Sequence, residues 1–263
     1  MELGLKGKRA IVLAASRGLG YACALGLARE GCDVLICSRD PARIEAAATQ
    51  IRQATGARVQ AVAADVHQEA DLHNLVDICV AQFGGLEIAV HNAGGPPSGS
   101  FDKIIIEDWY HAFDLNLMSF VRLVHSVVPS MKQAGYGRIL AITSSSIKQP
   151  IPNLVLSNAM RTGVLGVAKT LSKELAADNI LVNVIAPGRL ATERVDELDQ
   201  ARAASSGQSF ESVRQAALEA IPLGRLGDPE ELANLVTFLA SEAASYITGT
   251  AIQVDGGMVN ALQ

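Results

Sequence analysis

The chain is poor in aromatic residues. Phe, Trp and Tyr make up 4% of its 263 residues, and there is one tryptophan. Its core must therefore be packed from Ala, Val, Ile and Leu, which a hydrophobic content of 49% supplies. Such a composition is typical of helices packed on a parallel sheet. Runs of Lys and Arg are missing and the formal net charge is −5, which argues against nucleic acid as a partner. No uninterrupted apolar stretch has bilayer length, so no membrane partner is expected. The start, Met1-Glu2-Leu3-Gly4-Leu5-Lys6, lacks the apolar core of a signal peptide. The cysteines are few. Cys23, Cys32, Cys37 and Cys79 have neither metal-ligand nor redox spacing. The expectation is a cytoplasmic protein with reduced, buried thiols and no metal.

What is present is a regular alternation. Short apolar runs that read as strands lie at 9–13, 33–37, 59–63, 86–90, 138–142, 180–185 and 252–254. Helical sequence runs from Gly18 to about Arg29, from Arg43 to Gln53, up to about Phe83, and from Ser157 to Ala176. Trp109, Phe113, Leu117, Phe120, Val124 and Val127 repeat at the spacing of a further long helix. No repeat array or low-complexity linker interrupts the pattern. The alternation predicts a single Rossmann-like α/β domain over 1–263, with a doubly wound, mostly parallel seven-stranded sheet and helices on both faces. Residues 189–222 break the rhythm with a charged, alanine-rich stretch. Its position after a strand's carboxyl end is that of a helical substrate lid. The alternative is a solvated helical decoration.

After the first strand comes Ala14-Ala15-Ser16-Arg17-Gly18-Leu19-Gly20, opening a helix. Glycine there lets the backbone approach a pyrophosphate, and the helix N-terminus offers free N–H groups. A glycine turn alone is weak evidence of a nucleotide. The later segments add to it: Asp65-Val66, His91-Asn92-Ala93-Gly94, Pro187-Gly188, Pro222-Leu223-Gly224-Arg225-Leu226-Gly227-Asp228-Pro229, Ile247-Thr248-Gly249 and Val254-Asp255-Gly256-Gly257. Together and in this order they resemble the short-chain dehydrogenase/reductase family through nearly the whole chain, most closely members similar to 3-oxoacyl-acyl-carrier-protein reductases.

The resemblance implies a cofactor-binding set. The turn Ala14, Ser16, Arg17, Gly18, Leu19 and Gly20 would cradle the pyrophosphate. Asp65 and Val66 would face the adenine, Asn92, Ala93 and Gly94 would line the middle of the cofactor, and Pro187 and Gly188 would meet the nicotinamide. Ala14 stands where the family turn has glycine. The residues after the second strand bear on cofactor type. An acidic residue there would bond the ribose hydroxyls of NAD(H), but this chain has Ser38-Arg39. Arg39 and Arg17 would favour the 2′-phosphate of NADP(H) over NAD(H). Asp40, one residue later, argues the other way.

The family's working set is Asn, Ser, Tyr and Lys. Asn116 and Ser144 match its Asn and Ser. Ser157 and Arg161 stand where the family carries Tyr and Lys, in Ser157-Asn158-Ala159-Met160-Arg161. Positions 157, 161, 164, 168, 171 and 175 share one helix face, which aims Arg161 inward. There a guanidinium needs an anionic or hydroxyl-rich partner. Arginine can bind ribose hydroxyls, a carboxylate or an oxyanion, but it does not exchange its proton near neutral pH. Serine is a far weaker acid than a phenol of pKa ~10. Lys148, or a water held by Arg161, is a candidate substitute proton source.

Two readings follow. One is an NADP(H)-dependent oxidoreductase that reduces a small-molecule carbonyl or acyl substrate at a non-standard site. The other is a non-redox enzyme, a lyase or hydrolase, or a nucleotide-binding regulatory protein on the same fold. The resemblance also implies a homotetramer formed through two long helices and the C-terminal strand region.

Overall fold

In the computed structural model, which describes residues 2–262, seven strands form one sheet in the order β3-β2-β1-β4-β5-β6-β7. The strands are β1 (Arg9–Val12), β2 (Asp33–Ser38), β3 (Val59–Ala63), β4 (Ile88–His91), β5 (Gly137–Ile142), β6 (Ile180–Pro187) and β7 (Ala251–Val254). Every neighbouring pair is parallel. Helices cover both faces, so the inner strands are apolar on both sides; all eight residues of β6 are buried. The expected sheet is present, with strand ends shifted by one or two residues.

One face carries α1 (Gly18–Arg29), α2 (Pro41–Thr55) and α9 (Pro229–Ala240). Their core contributions include Leu27, Ile44, Ile51, Leu232 and Val236. The other carries α3 (Glu69–Phe83), α5 (Ser119–Ala134) and α6 (Val155–Glu174), through Leu72, Leu75, Leu123, Val127, Val164 and Ala168. Local chemistry fixes the helix ends. Asp40 Oδ1 accepts from the backbone N–H of Ala42 and Arg43, Pro41 opens α2, and Gly56 closes it at φ +71°.

The chain runs β1, β2, β3 to one edge and then returns to place β4 beside β1. This reversal opens a crevice at the carboxyl ends of β1 and β4, where such sheets take ligands. The glycine turn and the His91–Gly94 segment leave the sheet there, and Asn92 Nδ2 donates to Ala14 O at 3.3 Å.

The long helix expected around Trp109–Val127 is not uniform. It consists of α4 (Ile106–Ala112), a π-helical turn over Phe113–Met118, and α5. A π-turn inserts one residue and rotates the apolar stripe by about a third of a turn. Phe113 is consequently 41% exposed while Phe120 is buried, which corrects the expectation of one continuous stripe. The 189–222 segment holds two helices, α7 (Glu193–Ser206) and α8 (Phe210–Glu219).

Candidate active site

The glycine turn packs its backbone closely against the neighbouring segment. Gly18 has φ +58°, and a Cβ at Gly20 would lie 2.5 Å from Ala14 O and 2.8 Å from Asn92 Nδ2. Only glycine fits that close approach. No side chain caps the N-terminus of α1 and no acidic residue lies in its first turn, so its N–H groups and dipole remain available to an anion. Ala14 adopts φ +49°, a left-handed conformation that costs a non-glycine residue about 1 kcal/mol. The methyl group is accommodated, and the strain is the consequence of losing glycine there. Ser16 and Leu19 are half-buried, Leu19 against the α1–α2–α9 core.

The acidic residue after β2 is engaged by its own helix. Asp40 Oδ1 caps α2, and its Oδ2 pairs with Arg43 at 3.3 Å. Arg39 is exposed, and Ser38 Oγ donates to Asp40 O. Asp65 accepts from the backbone and Nδ1 of His67, at 3.1 and 2.7 Å. Burial pushes the Asp65 carboxyl up, but the His67 bonds and the Arg39 charge outweigh it and hold it below the usual carboxylate range. Val66 packs against the α3–α5–α6 core, and Ala93 is buried beside Asn92. Gly188 lies so close to Asp255 that a Cβ would meet it at 2.6 Å.

The π-turn presents Asn116. It is buried, Nδ2 donates to Gly94 O at 3.0 Å, and Oδ1 has no partner. A buried amide oxygen without a partner marks a place for a water. Ser144 follows β5 and its Oγ accepts from Ser146 N at 3.1 Å, which leaves the hydroxyl hydrogen free. Ser157 is buried, and its one hydroxyl partner is Ser146 Oγ at 3.5 Å, the limit of a hydrogen bond.

Arg161 Nη1 donates to Thr143 O at 2.7 Å and Ile142 O at 3.3 Å. Its face of α6 is the one expected, with Ser157, Val164 and Ala168 buried. Burial and then the charge of Arg194 lower its pKa to about 10, so it remains a cation at neutral pH. Behind it, His91 Nε2 meets Ser119 Oγ at 2.8 Å, and burial together with the Arg161 charge lowers the His91 pKa to about 3. Lys148 is partly buried, and its ammonium makes no hydrogen bond or ion pair among the described residues.

No tyrosine moves into the gap. Tyr136 donates to Ala240 O under the ring-stacked Arg138, Tyr110 and Tyr246 are exposed, and Tyr21 packs against the α1–α2–α9 core.

Sequence reading missed the contact of α7 with the crevice. Thr192 lies over Gly18, where an added Cβ would meet its Cγ2 at 3.6 Å. Glu193 pairs with Arg17, and Arg194 Nη2 donates to Pro96 O at 3.1 Å. Thr192 is of a type that often opens helices, but here its hydroxyl donates to Leu190 O and caps nothing. Within the segment, Asp199 is buried between Arg189 and Arg214, with the Arg214 contact at 2.6 Å.

Comparison with known proteins gives the chain's relatives. A family model described as enoyl-(acyl carrier protein) reductase matches residues 13–259. The 3-oxoacyl-[acyl-carrier-protein] reductase FabG of Aquifex aeolicus is 34% identical over 258 residues, covering 98% of this chain and 100% of that protein. The human dehydrogenase/reductase SDR family member 4 is 35% identical, covering 96% of this chain and 88% of its own. The crystal structure of L-sorbose reductase from Gluconobacter frateurii, complexed with NADPH and L-sorbose, superposes over 100% of both chains with TM-score 0.94 and 33% identity.

Proposed function

Because the chain belongs to the short-chain dehydrogenase/reductase family and is an oxidoreductase of that type, we propose that it reduces a small-molecule carbonyl with NADP(H), using Ser144, Arg161 and an Asn116-held water in place of the family's tyrosine and lysine. The observation that carries this reading is the cradle. Gly18, the close-packed Gly20 and the uncapped start of α1 fit a pyrophosphate, and Arg161 and Ser144 lie at the adjoining strand ends. The reductase relatives favour hydride transfer over a non-redox role on the same fold.

NADP(H) supplies the hydride that the carbonyl carbon accepts. The protein's part is positioning and charge. The Ala14–Gly20 turn takes the pyrophosphate, and Arg17 and Arg39 take the 2′-phosphate. Asp65 and Val66 border the adenine, while Asn92–Gly94 and Pro187-Gly188 hold the reactive end. Arg17 must exchange Glu193 for the phosphate. Their contact is exposed, so the exchange costs little. Support for the phosphate also comes from Asp40, whose carboxylate is committed to α2 and Arg43.

Ser144 donates its free hydroxyl hydrogen to the carbonyl oxygen. Arg161 stabilises the negative charge that develops there as the C=O π electrons move to oxygen. The guanidinium does not give up its proton at neutral pH, so the oxygen takes its proton from water. Asn116 Oδ1 holds such a water, and the net change is carbonyl plus NADPH plus H⁺ to alcohol plus NADP⁺. The α7–α8 segment acts as a lid, with Thr192 and Arg194 as its contacts to the crevice. The molecule assembles as a homotetramer, which would cover exposed apolar groups such as Ile105, Ile106 and Tyr110.

Restoring the family's acid tests the proton source. Ser157→Tyr with Arg161→Lys should raise turnover of a poor ketone by ~10²- to 10⁴-fold if proton delivery limits the natural enzyme. An unchanged or lower rate, with NADPH binding intact, would mean that the serine–arginine site already delivers protons efficiently.

A further inference from the structure

Arg161 carries a charge that the protein does not neutralise. It makes no ion pair among the described residues, and its protein partners are the two main-chain carbonyls after β5. Both bonds use Nη1. Nε and Nη2 make no hydrogen bond among the described residues. These two atoms form one edge of the guanidinium, the fork that meets a carboxylate with two parallel N–H···O bonds. Main-chain carbonyls fix the orientation of that fork.

A second cation borders the crevice. Arg194, at the start of α7, is anchored to Pro96 O in the loop that Asn116 grips through Gly94 O. It lies near enough for its charge to depress the ionisation of Arg161. Its one carboxylate partner, Glu197 at 3.3 Å, is half-exposed and screened by water. Among the described residues, neither guanidinium has a buried carboxylate partner. Ribose hydroxyls would satisfy hydrogen bonds there but would leave the like charges uncompensated. An anion resolves both.

We propose that the substrate carries a carboxylate, held by the free Nε–Nη2 edge of Arg161 and by Arg194, so that the protein is a reductase of oxo acids. This rests on the carbonyl-reductase reading above. Ser144, which binds the carbonyl oxygen in that reading, follows Thr143, whose carbonyl orients Arg161. Neighbouring anchor points suit a carboxylate close to the carbonyl, as in a 2-oxo or 3-oxo acid. The product is the corresponding hydroxy acid.

The test uses matched probes: phenylpyruvate and acetoacetate against their methyl esters. Binding is followed by calorimetry with the NADPH-loaded protein and by thermal shift without NADPH. The acids should bind at least tenfold more tightly than the esters. Arg194→Gln, an exposed lid substitution that leaves the core intact, should reduce that ratio by threefold or more without changing NADPH affinity. Arg161→Lys, which keeps the charge and loses the fork, should reduce it further. Equal binding of acid and ester, a preference that survives both substitutions, or binding of neither probe to an NADPH-competent protein would overturn the proposal. Acid preference in a protein that does not bind NADPH would uphold the anion site and refute the reductase reading.

Discussion

At the scale of single residues, the site is built from side chains that hold fixed protonation states. His91 is neutral because burial and the Arg161 charge lower its pKa to about 3, against an ordinary value of 6.5. The unfolded chain binds a proton there below pH 6.5 that the folded protein refuses until about pH 3. Stability from this group is therefore undiminished above pH 6.5 and declines as the pH falls from 6.5 towards 3. Between pH 7 and pH 5 the loss is about 2 kcal/mol. His91→Asn removes it, so urea unfolding at the two pH values should show a smaller acid penalty in the variant. Equal penalties would mean that His91 titrates freely. The residues forming the crevice were largely legible, since glycine at 18 and 20 and the paired exchange at 157 and 161 stand at fixed distances from strand ends. The strain at Ala14 and the neutrality of His91 were not, because both depend on backbone angle and burial rather than on residue type.

At the scale of elements, one departure from regular geometry matters most. The π-turn of Phe113–Met118 turns Asn116 towards Gly94 and leaves Oδ1 free. Apolar periodicity could not reveal it, because an inserted residue changes the phase of the helix without changing its composition. The α7–α8 segment was recognisable as an insertion, but its contacts come from residues far apart in sequence. It is held by Asp199, buried between Arg189 and Arg214, which are about one-fifth exposed. Asp199→Asn leaves Arg189 without a counter-charge and Arg214 with Asp196 alone. Allowing for that exposure, local stability should fall by about 2 kcal/mol. Trypsin should then cut within 193–219 at least ~10-fold faster, while the melting temperature of the sheet core changes by a few degrees at most. Unchanged cleavage would show that the helices are held by their apolar contacts instead.

At the scale of the whole molecule, strand order decides where chemistry can occur. The reversal between β1 and β4 brings the glycine turn and Asn92 to the carboxyl edge of the sheet, where Ser144 follows β5 and Arg161 reaches over from α6. The fold and the family were legible in the order of the motifs, and no described helix is long and apolar enough to cross a membrane. Substrate class was not legible, because it depends on how the charges of Arg161 and Arg194 combine across the crevice. Binding to the folded state alone must raise stability, by about 2.7 kcal/mol at a hundredfold excess over Kd. The measurement that bears most directly on the account is a titration with NADPH followed by nicotinamide fluorescence, with NADH in parallel, and then addition of 3-oxoacyl thioesters, small ketones and oxo acids. The account predicts saturable binding, tighter for NADPH than for NADH, and oxidation of bound NADPH by a carbonyl of the panel. No saturable binding at millimolar NADPH, or binding with no oxidation by any of them, would contradict it.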